Sequence, residues 1–139
     1  MKRRTIALDI GSVRIGVAVS DPLGMFAQGI AVLQAESDWM SEMDILVEKY
    51  DPEVLLIGLP IRTGGERGPE AERVEELSRS LAGRYPSLSV VLHDERFSTT
   101  IATRALIEGD VSRRGRKGKV DMVAAAVILQ SWIDREGSS

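Results

Sequence analysis

Two mostly apolar runs of β type lie between Thr5 and Ser20, separated by a short polar and glycine-containing stretch. The pattern predicts two strands, Thr5–Ile10 and Ile15–Ser20, joined by Gly-Ser-Val-Arg as a hairpin with a short loop. Asp21-Pro22-Leu23-Gly24 is a turn signal, and Gln28–Leu33 reads as a third strand that completes an antiparallel meander. A 3.6-residue period follows. Trp39, Met40, Met43, Leu46, Val47 and Tyr50 form one stripe of a helix capped at Ser37 or Asp38 and stopped by Asp51-Pro52. Val54 to Pro60 is a continuous apolar run bounded by proline, the signature of a parallel strand buried on both faces. After a flexible Arg62-Thr63-Gly64-Gly65 connection, Pro69 opens a helix with Ala71, Val74, Leu77, Leu81 and Tyr85 inward and Gly83 as its carboxy-terminal cap. Leu88–His93 is a further strand, a short helix capped by Ser98, Thr99 or Thr100 runs through about Ile107, and Val111–Lys119 is a loop. A last helix, from about Val120 to Asp134, is apolar nearly all round and therefore packed deeply. A meander followed by strand–helix alternation implies an α/β fold with one mixed sheet and helices on its faces.

Composition narrows the picture. The 139 residues suit one domain, 1–139, and 43 % hydrophobic residues can fill a core. A net charge of −3 excludes a globally basic nucleic-acid binder, so any polyanion contact is local. There is no cysteine, which removes disulfides and thiolate metal sites and is compatible with a reducing cytosol. Met-Lys-Arg-Arg resembles the start of a signal peptide, but Asp9 interrupts the apolar run that follows, and no stretch predicts a membrane span. Aromatic residues are only 4 %, too few for a base-stacking platform.

Three acids stand in apolar surroundings. Asp9 ends the first strand, Glu95 follows the last one, and Asp121 lies in the first turn of the last helix, in line with Ala124, Ala125, Ile128 and Trp132. A carboxylate on a central strand is costly unless paired, and a cation is an economical partner. Gly11 and Gly16 leave room for a phosphate backbone beside Asp9. Oxygen-only ligands favour Mg²⁺ or Mn²⁺, and carboxylates with such ions are the machinery of phosphodiester hydrolysis. Each acid alone also fits a structural role: Asp9 as a strand end, Asp121 as a helix start, Glu95 as a partner of Arg96 or Arg113. Arg113, Arg114, Arg116, Lys117 and Lys119 concentrate positive charge just ahead of Asp121, where they would grip phosphates, and Arg14 and Arg96 extend the patch. His93, the single histidine, reads as a structural hydrogen-bonding group.

Four segments in order resemble the YqgF family, whose members are called Holliday junction resolvases or pre-16S rRNA nucleases. They are Ala7–Asp21, Ile57–Pro60 (Ile-Gly-Leu-Pro), Asp94–Thr99 (Asp-Glu-Arg-Phe-Ser-Thr) and Val120–Gln130. The resemblance covers almost the whole chain. It implies a ribonuclease H-like fold with a five-stranded mixed sheet flanked by helices. It also implies a metal-dependent nuclease with Asp9, Glu95 and Asp121 as its acidic site. Val13 stands where the family often has lysine, and Ile61–Gly65 lacks the usual Asn or Asp, so these differences bear on substrate preference. Relatives in the superfamily tend to have a fourth acid, for which Asp94 and Asp21 are the candidates here.

The expectation is a cytoplasmic Mg²⁺- or Mn²⁺-dependent endonuclease, monomer or homodimer. Pre-ribosomal RNA is its favoured partner, and branched DNA comes second. The alternatives are a Holliday junction resolvase using the same acids and a non-catalytic nucleic-acid-binding module. A sugar-kinase-type phosphotransferase shares the Asp-x-Gly hairpin, but the chain is too short for its two domains.

Overall fold

In a computed structural model of the chain, described over residues 4–62, 64–95 and 117–137 (side chains of the last segment over 122–136), the apolar runs of the first strands are buried on both faces. The elements run β1 (Thr5–Ile10), β2 (Arg14–Ser20), β3 (Ala27–Gln34), α1 (Trp39–Tyr50), β4 (Val54–Leu59), α2 (Pro69–Arg84), β5 (Ser89–Asp94) and α3 (Lys117–Gly137). The five strands form one sheet in the order β3-β2-β1-β4-β5. β1, β2 and β3 are antiparallel neighbours, while β1, β4 and β5 are parallel. The expected mixed sheet is therefore present.

Ile6 and Leu8 of β1 share a face with Ile15, Val17 and Val19 of β2 and with Leu55 and Ile57 of β4. Trp39 and Met43 of α1 and Val74 and Leu81 of α2 cover this face. Each fully buried side chain of this kind stabilises the fold by roughly 1.5–3 kcal/mol. The other face carries alanines on β1 and β2. Ala7, Ala18 and Leu56 pack under Ala125, Ile128 and Leu129 of α3, so that helix sits close to the sheet. Gln130 fastens α3 to the start of β3: its Oε1 accepts from the Ala27 N–H at 2.9 Å, and its amide donates to the Met25 carbonyl at 3.1 Å.

Local chemistry explains the boundaries. The Asp38 carboxylate accepts from Ser41 N–H and caps α1. Asp51 ends that helix in the left-handed region, with φ of 45°. Pro69 occupies the first position of α2, behind Gly68. Arg84 and Tyr85 tie α2 to α1 through Asp44, with Arg84 Nε 2.9 Å from its Oδ1. The Arg62-to-Gly65 connection is closed by a bond from Gly65 N–H to the Arg62 carbonyl at 2.7 Å, with Gly65 at φ of 88°.

Two sequence expectations are corrected. Gly83 is not the cap of α2, because the helix continues through Arg84 and Tyr85 N–H bonds back to the Leu81 carbonyl. Lys117–Lys119, expected in a loop, begin α3, which also runs beyond Asp134 to Gly137. Lysine is a good helix former, and one glycine is tolerated near a helix end. The helix expected over about 98–107 lies outside the described residues.

Gly29 marks where α3 meets β3. A Cβ there would lie 2.9 Å from both the Cβ and the carbonyl oxygen of Met122. Backbone cannot yield as a side-chain tip can, so Gly29→Ala is expected to destabilise the protein by about 1–3 kcal/mol. A thermal melt that matches wild type would show that α3 is not seated this closely.

Candidate active site

Strand alternation puts Asp9 on the same face of β1 as Ala7, beneath α3. Its register partner on β2 is Gly16. β4 runs parallel on the other side of β1, with Leu8 opposite Ile57, so Gly58 follows beside Asp9. Glu95, just past β5, lies across Gly58: a Cβ on that glycine would come 2.7 Å from Glu95 Oε1 and 3.1 Å from its Cγ. Glycine at 58 thus lets a side chain from beyond β5 cross the carboxyl end of β4 and reach β1.

The two acids meet there. Burial pushes the Glu95 carboxyl up to about 7, and the charge and hydrogen bond of Asp9 act in the same direction, with a smaller push from Asp94. Two close carboxylates resist ionising together, so Glu95 keeps its proton to a higher pH than an ordinary carboxyl. The expected partner of Asp9 was a cation. Beside it the structure places a second acid, so two carboxyl groups converge at the carboxyl ends of the parallel strands.

The pair opens into a cleft of about 450 Å³ lined by Asp9, Ile10, Gly11, Ser12, Pro60, Pro69, Glu70, Arg73 and Glu95. Gly11 closes the hairpin as well as lining the cleft: its N–H bonds to the Arg14 carbonyl at 2.9 Å, and a Cβ would come 2.6 Å from that oxygen. Ser12, Pro60, Pro69, Glu70 and Arg73 were not found by sequence reasoning. The available signal was positional, since the first turn of α2 follows β4 and must begin near its carboxyl end. Glu70 stands 3.6 Å from Arg62 across an exposed ion pair, which contributes little to stability.

The remaining predicted residues divide clearly. Arg14 opens β2 opposite Gln34, near the mouth of the hairpin, and does not line the cleft. Asp121 falls within α3, one turn before the buried Ala125, and its side chain lies outside the described residues. Arg96, Arg113, Arg114 and Arg116 lie outside them too, as do the side chains of Lys117 and Lys119. Asp21 is no fourth site acid: its Oδ1 accepts from Met25 and Phe26 N–H at 2.7 and 3.1 Å, at the end of β2 away from Asp9. Asp94 adds the smallest push on Glu95, through its charge. His93 is buried with Nε2 3.3 Å from Ser131 Oγ on α3, the structural position expected of it.

A divalent cation fits this donor set. Asp9 and Glu95 offer hard oxygens, and a bound cation would favour the ionised form of the Glu95 carboxyl. Among the described residues no third acid or histidine completes a metal cluster. Asp121 is the sequence-predicted residue that would supply the next ligand.

The shifted carboxyl has a consequence for stability. Glu95 has a folded value of about 7 against an ordinary 4.5, so between these pH values the folded chain holds a proton that the unfolded chain releases. Stability of the metal-free protein should fall as pH rises through that window, and Glu95→Gln should flatten the fall. Asp44 acts in a separate acid window with the opposite sign. Its bonds to Arg84 and Tyr85 hold it down to about 2, so its contribution is present above 3.8 and is lost as pH drops toward 2. Melting curves from pH 4.5 to 8 test the first effect, and an identical slope in Glu95→Gln would refute it.

A mixed sheet of order β3-β2-β1-β4-β5 with an acid pair at the carboxyl ends of its parallel strands defines the class as ribonuclease H-like. Solved structures agree on the fold. Thermus thermophilus RuvC in complex with a Holliday junction substrate superposes with a TM-score of 0.60 at 14 % identity, over 99 % of this chain and 98 % of that one. The yeast mitochondrial Holliday junction resolvase Ydc2 gives 0.56 at 16 % identity, over 97 % and 79 %. The sequence model described as "RuvX: Holliday junction resolvase" matches residues 3–135. A protein of Clostridium botulinum (strain Hall) named "Putative pre-16S rRNA nuclease" is 41 % identical over 94 % of this chain and 96 % of its own length. A Moorella thermoacetica protein of the same name is 41 % identical over 98 % of both. The chain belongs to the RuvX family, also called YqgF. No helix among the described residues is long and apolar enough to cross a membrane.

Proposed function

We propose that this protein is a Mg²⁺- or Mn²⁺-dependent endonuclease of the cytoplasm that hydrolyses phosphodiester bonds in structured RNA, with the 5′ end of pre-16S rRNA as its favoured substrate. The observation that carries this reading is the Asp9–Glu95 carboxyl pair at the floor of an open cleft. Family membership and the names of the relatives support the choice of reaction and of RNA.

Asp9 and Glu95, with Asp121, would hold the cation. When bound, it supplies charge stabilisation to the phosphoryl oxygens. Glu95 holds a proton at its carboxyl in the metal-free state and gives it up as the site loads. Gly11 and Gly58 keep the approach to Asp9 clear of side chains. Arg14, Arg96, Arg113, Arg114, Arg116, Lys117 and Lys119 would hold the phosphate backbone outside the cleft. Neutralising Arg113, Arg114 and Arg116 together should weaken RNA binding and reduce its salt slope by up to about three. An unchanged slope would remove that segment from the interface.

The description of the matching family favours a second reading, resolution of four-way DNA. Symmetric cleavage of a junction needs a two-fold dimer. The deciding experiment offers Mn²⁺ with an RNA spanning the 5′ end of the small-subunit transcript and, separately, a four-way DNA junction. Cleavage of the RNA alone is expected. Cleavage of the junction alone, by a protein with the solution mass of a dimer, would replace this reading with the resolvase.

A further inference from the structure

The cleft does not end at the acid pair. Beyond the hairpin turn a second cavity of about 420 Å³ lies between the start of α1 and α2. It shares Ile10, Gly11, Ser12 and Arg73 with the first, so the two form one continuous groove. Its size lies within the usual range of small-molecule sites. Ile15, Ala35, Trp39 and Leu77 give it an apolar wall, and Glu76 and Ser80 give it polar edges.

Arg73, Glu76 and Ser80 follow one another along a single face of α2. Arg73 lines both cavities and so sits at their junction. Among the described residues, neither Arg73 nor Glu76 forms an ion pair or a side-chain hydrogen bond, although α2 is otherwise laced with them: Arg67 pairs with Glu75, and Arg84 with Asp44. Two charged side chains of opposite sign are thus left open to the groove, one at the junction and one along the wall.

Resting on the nuclease reading above, we propose that this second cavity is a nucleotide subsite. Arg73 takes the phosphate next to the scissile one, and the cavity receives its unstacked base against Trp39, with guanine preferred. Single-stranded or splayed RNA is recognised in this way, by an apolar surface for the base and hydrogen bonds at its edge. A guanidinium is suited to bind a phosphate oxygen pair. The Glu76 carboxylate is acceptor-only, and guanine alone presents two adjacent N–H donors on its Watson–Crick edge. Ser80 can donate or accept and completes the polar edge.

Titration of the full chain in EDTA with guanosine 5′-monophosphate, followed by NMR, tests the subsite. The protein has two tryptophans, so two indole N–H signals report, and Trp132→Phe assigns them. The Trp39 signal should shift saturably while that of Trp132, on α3, stays in place. Adenosine 5′-monophosphate and inorganic phosphate should bind more weakly. Arg73→Ala should weaken binding about tenfold or more, as expected for loss of a charge-assisted contact. Glu76→Gln should abolish the preference for guanine. A stationary Trp39 signal, equal binding of inorganic phosphate, or unchanged binding by Arg73→Ala would overturn the proposal. Arg73 is exposed, so its replacement does not threaten folding. The titration needs neither cation nor catalysis. A null result with cleavage intact would therefore remove the subsite and leave the nuclease, whereas absent cleavage with a shifting Trp39 signal would do the reverse.

Discussion

Asp9→Asn is expected to lower cation-dependent cleavage by about a thousandfold or more while making the metal-free protein more stable at pH 8. The first effect follows from the position of Asp9. It is the acid on the central strand, and the Glu95 carboxyl is bonded to it. The second follows from the same geometry. Burial and the neighbouring Asp9 charge both oppose ionisation of the Glu95 carboxyl, so above about pH 7 that charge works against the fold. An amide at position 9 removes one charge and can still hydrogen-bond Glu95. The gain should be about 1 kcal/mol, or about 3 °C in Tm. Lost activity combined with raised stability distinguishes a functional acid from a structural one, whose loss would lower Tm. An Asp9→Asn protein that cleaves normally, or one that melts well below wild type at pH 8, would count against the site.

Gly58→Ala is expected to show the converse separation, a small change in stability with a large loss of cleavage. The new Cβ would lie 2.7 Å from Glu95 Oε1 and 2.8 Å from Ile128 Cδ1. Both atoms are the far ends of side chains that can rotate away, so the fold should lose only about 1 kcal/mol. The Glu95 carboxyl cannot rotate away and still meet Asp9. Displacing a site group by about 1 Å commonly costs about a hundredfold in rate. The contrast with Gly29→Ala is instructive, because there the obstacle is the Met122 backbone and the cost falls on stability. Cleavage rates and melting curves of the two variants, measured side by side, check both. Wild-type cleavage by Gly58→Ala would mean that Glu95 acts without its contact to Asp9.

The fold was largely legible because its signals are local. The apolar runs of β1 and β2, the unbroken apolar run of β4 and the 3.6-period stripes of α1 and α2 each follow from short-range geometry. Gly83 misled because glycine near a helix end is usually a cap, whereas here the chain stays helical through Arg84. The candidate site was legible only in part. Asp9 announced itself as a charge within an apolar strand, and Glu95 as an acid at the end of another. That they meet across Gly58 depends on β1 and β4 being parallel neighbours, a long-range fact that no local pattern carries. Arg73 looked like any exposed arginine on an amphipathic helix, and only the placement of α2 beside the hairpin turn brings it to the groove. Asp121 and the basic residues from Arg113 to Lys119 remain proposals on the strength of sequence alone.

The central claim is that the Asp9–Glu95 pair is a cation site, and Mn²⁺ binding tests it most directly. Electron paramagnetic resonance of free Mn²⁺, titrated with protein at pH 8, counts bound ions without any substrate. The account predicts saturable binding by the wild type, weakened about tenfold or more by Asp9→Asn and again as the pH is lowered below about 7, where Glu95 regains its proton. Mn²⁺ binding that is indifferent to both Asp9 and pH would contradict it.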